Sequence, residues 1–254
     1  MILDRFKLDG QVALVTGAGR GLGQAMAVAL AEAGADVAGL GRGAQEETAA
    51  QVRALGRRYL PVRLDLRTAH AADLTAVVAQ VTAELGRLDI LVNNAGVIRR
   101  TPVLEYSEQD WDDVIQVNLK AVFLLSQAAG RVMVAAGRGK IINIASLLAM
   151  QGGIRIPAYT AAKSGVAGLT RLMANELAAE GVNVNAIAPG YILTDFTTAL
   201  HADPQRAPAI LERIPAGRWG DPADLMGAVV FLASAASDYL HGAIVPVDGG
   251  WLAR

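Results

Sequence analysis

The chain has 254 residues, 53% of them apolar, and its 23 basic and 24 acidic side chains leave a net charge of −1. That length sits at the upper end of what one hydrophobic core supports, and so even a charge balance offers no basic field for nucleic acid. Cysteine is absent, which excludes disulfides, thiol nucleophiles and thiolate zinc sites, and the three histidines (His70, His201, His241) are too scattered to suggest a metal site.

The first ten residues mix Asp4, Arg5, Lys7 and Asp9 among apolar ones, unlike the uninterrupted apolar core of a secretory signal. The apolar stretch around Ala25–Ala38 is broken by Glu32, Gly34 and Asp36, so no membrane span is expected there. A cytoplasmic protein follows as the expectation. Short β-branched runs predict strands at Val12–Thr16, Asp36–Leu40, Leu60–Leu64, Ile90–Asn93, Ile141–Ala145, Val182–Ala188 and Ile244–Val247. Helical spacing fills the intervals at Leu22–Ala33, Glu46–Leu55, Ala72–Leu85, Glu108–Ala136, Ala158–Ala179 and Pro222–Ala233. Ser107 with Asp110, and Asp221 before Pro222, read as helix starts, and Pro157 opens the helix that carries Tyr159.

This alternation predicts an α/β fold of the Rossmann type, a doubly wound, seven-stranded parallel sheet with helices on both faces. One domain over residues 1–254 is expected. Its one long connection, at about 190–220, has the length of an active-site lid.

Thr16 to Gly23 follows the first strand and opens the first helix, where glycines and free N–H groups can receive a pyrophosphate. The spacing is Gly17-x-x-x-Gly21-x-Gly23, with Gly19, Arg20 and Leu22 inside it, and no register fits G-x-G-x-x-G. Asp65-Leu66 at the third strand end, and Asn93 with Ala95 and Gly96 at the fourth, add nucleotide-site candidates. The second strand ends Leu40-Gly41-Arg42 without the carboxylate that grips an NAD ribose. Arg42, with Arg20, could accept the 2′-phosphate of NADP, or point to solvent, so both NAD and NADP stay open.

Tyr159 and Lys163 stand four apart, on one helix face. A hydride transfer between an alcohol and a nicotinamide requires a proton to reach or leave the same oxygen. A free tyrosine titrates near ~10, and an adjacent ammonium together with the positive nicotinamide ring would bring it toward working pH. Ser146, at the fifth strand end, could orient the substrate oxygen, and Asn118 could anchor a water leading to Lys163.

With glycine turn, Asn93-Asn94-Ala95-Gly96, Asn118, Ser146, Tyr159 and Lys163 in this order, the chain resembles the short-chain dehydrogenase/reductase family over its whole length. Asn185–Gly190 and Val247–Gly250 match the family pattern too. The resemblance implies an NAD(P)-dependent oxidoreductase with an Asn-Ser-Tyr-Lys tetrad, whose cofactor contacts also include Pro189, Gly190, Ile192 and Thr194, Tyr159 and Lys163 among them. It further implies a homotetramer packed through the two long helices. Longer strings, Asn93–Arg100, Ile141–Gly165, Arg213–Gly227 and Asp248–Arg254, resemble a branch acting on keto-deoxy sugar acids, usually with NAD.

A sugar acid calls for a carboxylate anchor, which Arg155, Arg99 or Arg100 could provide. Gln151 and Tyr191, with Ser146 and Tyr159, are candidates for contacts to the substrate oxygens, whereas Arg218 and Trp219 are expected to be structural. Gluconate, glucose or a 3-oxoacyl thioester are alternative substrates, and a nucleotide-sensing scaffold without catalysis is a reading the intact tetrad disfavours.

Overall fold

The computed structural model describes residues 1–254. Its seven strands are β1 (Val12–Thr16), β2 (Asp36–Gly41), β3 (Tyr59–Arg63), β4 (Ile90–Asn93), β5 (Gly139–Ile144), β6 (Val182–Pro189) and β7 (Ile244–Val247). They form one sheet in the order β3-β2-β1-β4-β5-β6-β7, and every neighbouring pair is parallel. Both outer strands carry a proline, Pro61 in β3 and Pro246 in β7. Proline cannot donate to a ladder, so an edge is where a strand tolerates it.

Nine helices surround the sheet: α1 (Gly21–Glu32), α2 (Glu46–Ala54), α3 (Ala71–Leu85), α4 (Glu108–Ile115), α5 (Ala121–Ala135), α6 (Pro157–Leu177), α7 (Thr198–His201), α8 (Arg206–Arg213) and α9 (Met226–Ala233). One apolar cluster gathers Leu74, Val78 and Val81 of α3, Leu125 and Met133 of α5 and Leu14 and Leu91 of the sheet. The other joins Met26 and Leu30 of α1, Val52 of α2 and Val229 and Leu232 of α9 to Val15, Ile90 and Ile142. Alternate residues of one strand thus serve opposite faces, as the pleat requires. Each fully buried Leu or Ile contributes about 1.5–3 kcal/mol.

Two predicted helices are interrupted. Glu108–Ala136 is α4, a π turn at Gln116–Lys120 and α5 rather than one regular helix. By length and composition this run could cross a bilayer, but more than half of its apolar stretch is buried against the rest of the fold. Pro222–Ala233 begins as a 3-10 turn, Pro222–Leu225, before α9. Asp221 accepts from Ala223 N there, completing a capping box with Asp224, whereas Ser107 accepts from Asp110 N at the start of α4.

The connection after β6 contains α7 and α8 and returns to the sheet through a bridge between Ile192 and Gly220. It packs around its own apolar cluster, Leu147, Leu200, Ile210, Ile214, Trp219 and the C-terminal Trp251.

Candidate active site

At the C-terminal end of β1 the chain turns into α1 on three glycines. Gly17 has φ +70°, and a Cβ there would lie 2.9 Å from Asn94 Nδ2, so only glycine satisfies both the turn and the close approach. Thr16 fastens this turn to the β4 end. Its hydroxyl accepts from Asn94 N (2.9 Å) and Ala95 N (2.8 Å), while its carbonyl accepts from Asn94 Nδ2 (2.8 Å). No side chain caps the N-terminus of α1, which leaves its first N–H groups and partial positive charge facing outward from the turn. That is the donor set a pyrophosphate fits.

The other nucleotide candidates divide. Asp65 lies two residues beyond β3, not at its end, and Arg67 grips its carboxylate at 2.7 Å. Leu66 is buried in the apolar core, so its side chain does not face a ligand. Asn93 is also turned inward: its Nδ2 donates to Ser126 Oγ (2.8 Å) and to Asn143 Oδ1 (2.9 Å). Asn94, with Ala95 and Gly96 following it, is the residue that shapes the cofactor side, and sequence reading passed over its side chain. Arg42 is largely exposed, 3.8 Å from Asp65. Arg20 does not join it but pairs with Asp195 of the long connection at 2.6 Å. Thr194 stands over Gly21, its Cγ2 3.7 Å from where a Cβ would be, and Pro189, Gly190 and Ile192 form the β6 exit just below.

Ser146, Tyr159 and Lys163 lie at the exit of β5 and the start of α6. Pro157 at the first position of α6 sets Tyr159 and Lys163 one turn apart, with the Lys163 Nζ 5.6 Å from the Tyr159 ring centre. Lys163 is buried and donates to Ile144 O at 2.6 Å, and burial lowers it to about 8. Ser146 caps the turn after β5, its hydroxyl accepting from Leu148 N at 3.2 Å. Burial pushes Tyr159 up to about 12, opposed by the nearby Ser146 hydroxyl and by the Arg100 charge.

Asn118 lies on the long helical run that precedes β5. It sits in the π turn, fully buried, with Oδ1 accepting from Val97 N (3.0 Å) and Nδ2 donating to Val97 O (2.7 Å). Its amide is thus occupied in fixing the loop after β4. π turns displace the helical ladder by one residue and often mark functional sites.

The candidate substrate residues are also sorted by their partners. Arg99 pairs with Asp110 (3.2 Å) and Asp113 (3.8 Å), so its charge is already neutralised and it is set aside as carboxylate anchor. Its neighbour Arg100 has no acidic partner. It donates to Phe196 O at 3.3 Å, and the Phe196 ring lies 5.8 Å from that of Tyr159. Burial and the nearby Arg206 charge pull Arg100 below the usual arginine value. Arg206, at the start of α8, was not foreseen from sequence, because nothing local signals that α8 folds toward Arg100. Arg155 is exposed and is the one non-glycine residue with positive φ, +63°, its carbonyl accepting from Thr101 N at 2.9 Å. Left-handed backbone in such a residue costs about 1–2 kcal/mol. Tyr191 packs against Trp219 (5.5 Å) and Trp251 (4.6 Å), and Gln151 accepts from Trp251 Nε1 at 3.1 Å. Arg218 is structural as expected, paired with Asp224 at 2.7 Å, and Trp219 is buried.

Comparison with known proteins agrees with this site. The short chain dehydrogenase family profile matches residues 11–205. The 2-dehydro-3-deoxy-D-gluconate 5-dehydrogenase of Escherichia coli (strain K12) is 59% identical, with 100% of both chains covered. A crystal structure from Agrobacterium tumefaciens with bound NADP, named as a candidate 2-deoxy-D-gluconate 3-dehydrogenase, is 57% identical with a TM-score of 0.92, covering 98% of this chain and 99% of that one. A gluconate 5-dehydrogenase from Burkholderia cenocepacia, in complex with NADP and tartrate, is 41% identical with a TM-score of 0.94 over 100% of both chains. The chain belongs to the short-chain dehydrogenase/reductase family and is an NAD(P)-dependent oxidoreductase acting on CH–OH donors.

Proposed function

We propose that this enzyme interconverts the secondary alcohol and ketone of a keto-deoxy sugar acid such as 2-dehydro-3-deoxy-D-gluconate, as a cytoplasmic homotetramer. The observation that carries this reading is the Arg100 guanidinium, which has no acidic partner, is bonded to the carbonyl of Phe196 whose ring packs on Tyr159, and has the Arg206 charge near it. Like charges held together favour an anionic ligand, and a bidentate arginine suits a carboxylate. The 59% identical relative carries the matching name, and the tartrate complex of the gluconate 5-dehydrogenase is an acid-bearing parallel.

When bound, the nicotinamide cofactor gives or takes a hydride at the reacting carbon. Ser146 orients the oxygen on that carbon, and Tyr159 gives or takes its proton. With a phenol pushed up to about 12, Tyr159 is protonated at neutral pH and ready as the acid for ketone reduction. In oxidation it acts as base, favoured by the nearby Ser146 hydroxyl and the Arg100 charge. Lys163, held by Ile144 O, places an ammonium beneath the ring. Arg42, in place of a carboxylate after β2, supports use of NADP, and the NADP-bound relatives agree.

The purified protein should reduce NADP or NAD with 2-dehydro-3-deoxy-D-gluconate faster than with glucose. Arg100→Ala should raise KM for the acid roughly 10–100-fold, the loss of a hydrogen-bonded charge pair, with far less effect on a neutral sugar. Equal changes for both substrates would dismiss the carboxylate anchor. Arg42→Ala should raise KM for NADP more than for NAD in the same assay.

A further inference from the structure

We infer that Trp251, three residues before the last, is a positioning residue for substrate recognition: it fixes the Gln151 amide so that both N–H donors are left for the sugar acid. This rests on the sugar-acid reading above. Two groups approach the Gln151 side chain, Trp251 Nε1 at 3.1 Å and Arg213 Nη2 at 3.5 Å. Indole and guanidinium are donors only, so the atom facing them must be the amide oxygen. The amide nitrogen has no protein partner, and Gln151 is half-buried on the segment between Ser146 and Tyr159. A donor pair left unfilled there suits an acceptor such as a ketone, hydroxyl or carboxylate oxygen.

The lock is itself rigidly built. Trp251 is 4% exposed, with the Arg213 guanidinium 4.0 Å from its ring centre and Tyr191 packed at 4.6 Å. The Asp248 carboxylate accepts from Gly250 N and Leu252 N at 2.9 Å each, holding the turn that presents Trp251. Arg254 donates to Glu212 O (2.6 Å) and Arg213 O (3.3 Å), tying the last residue to the C-terminal end of α8. Cations are favoured at that end of a helix. The tail therefore joins the loop bearing Gln151 to the helix whose first residue is Arg206, and a change of acceptor at Gln151 is felt by both.

Two variants separate the roles. Trp251→Phe keeps a ring for Arg213 and Tyr191 but removes the N–H. It should raise KM for 2-dehydro-3-deoxy-D-gluconate roughly five- to tenfold, with kcat within about twofold. Gln151→Glu keeps an acceptor for Trp251 and Arg213 but offers the substrate no donor. Its KM should rise more than about tenfold while its melting temperature holds. The double variant should match Gln151→Glu, because Trp251 acts through that amide. A wild-type KM in Trp251→Phe, or additive effects in the double variant, would overturn the lock. If Trp251→Phe does not fold, an unchanged KM in Gln151→Glu overturns it equally. Failure of the wild-type enzyme to turn over the sugar acid would overturn the functional reading, and the lock with it.

Discussion

The reacting residue, Tyr159, is governed by two opposed influences of unequal size. Burial favours the neutral phenol and dominates, while Ser146 and Arg100 favour the phenolate. Removing the Ser146 hydroxyl deletes a lowering influence, so the phenol of Ser146→Ala titrates higher. Oxidation needs the phenolate and declines as pH falls through that value. Its acid limb should therefore move to higher pH in Ser146→Ala. A pH–rate profile of kcat/KM checks this, and an unmoved limb would show that Ser146 does not touch the reacting proton. The Tyr159–Lys163 pair was legible in sequence because helical spacing sets the two side by side. Arg99 and Arg100 were not separable that way. Adjacent in the chain, they differ only through Asp110 and Asp113 on α4, which neutralise one and leave the other free.

At the scale of elements, a buried polar ladder holds α6 in rotation. Asn93 of β4 is in register with Asn143 of β5, and its amide donates to the Asn143 carbonyl at 2.9 Å. The Asn143 amide donates to Thr170 Oγ1 at 2.9 Å, and Thr170 lies seven residues after Lys163, on the same helix face. Ser126 of α5 accepts the other Asn93 bond at 2.8 Å. Asn143→Ala would leave buried donors on Asn93 and an acceptor on Thr170 short of partners. A cost of about 2 kcal/mol follows, equivalent to a fall in melting temperature of roughly 4–8 °C for a chain of this size. A thermal scan within a degree of wild type would show that the ladder carries no stability. The strands, and the helices other than Glu108–Ala136, Pro222–Ala233 and the two after β6, were legible to within a residue or two because period and punctuation are local. The ladder was not, because each residue in it is a plausible turn or surface residue until β4, β5, α5 and α6 are packed. The π turn at Gln116–Lys120 likewise follows from Asn118 reaching Val97, a contact that helical periodicity does not encode.

On the scale of the whole molecule, the two longest helical runs leave large apolar side chains outside. Trp111 on α4, Phe123 on α5 and Leu172 on α6 are 40%, 37% and 49% exposed, and α4 packs directly on α6. A second copy of the chain is the occupant we propose, since the same helices would then face one another across a two-fold axis with each patch covering its mate. Aromatic side chains bury about 150–250 Å² each, so these residues form the centre of a patch that a stable interface, about 1,200–2,000 Å² in total, must extend with flanking contacts. A glutamate at Phe123 or Leu172 would place a carboxylate in that dry centre, where burying an unpaired charge is strongly unfavourable. Light scattering at micromolar concentration should find the wild-type chain as a tetramer and Phe123→Glu/Leu172→Glu as a smaller species. The substitutions lie on an outward surface of the monomer, so its secondary structure should persist. A monomeric wild type would remove the interface. A variant that stays tetrameric would place it elsewhere on the molecule, with the exposed aromatics then serving no assembly.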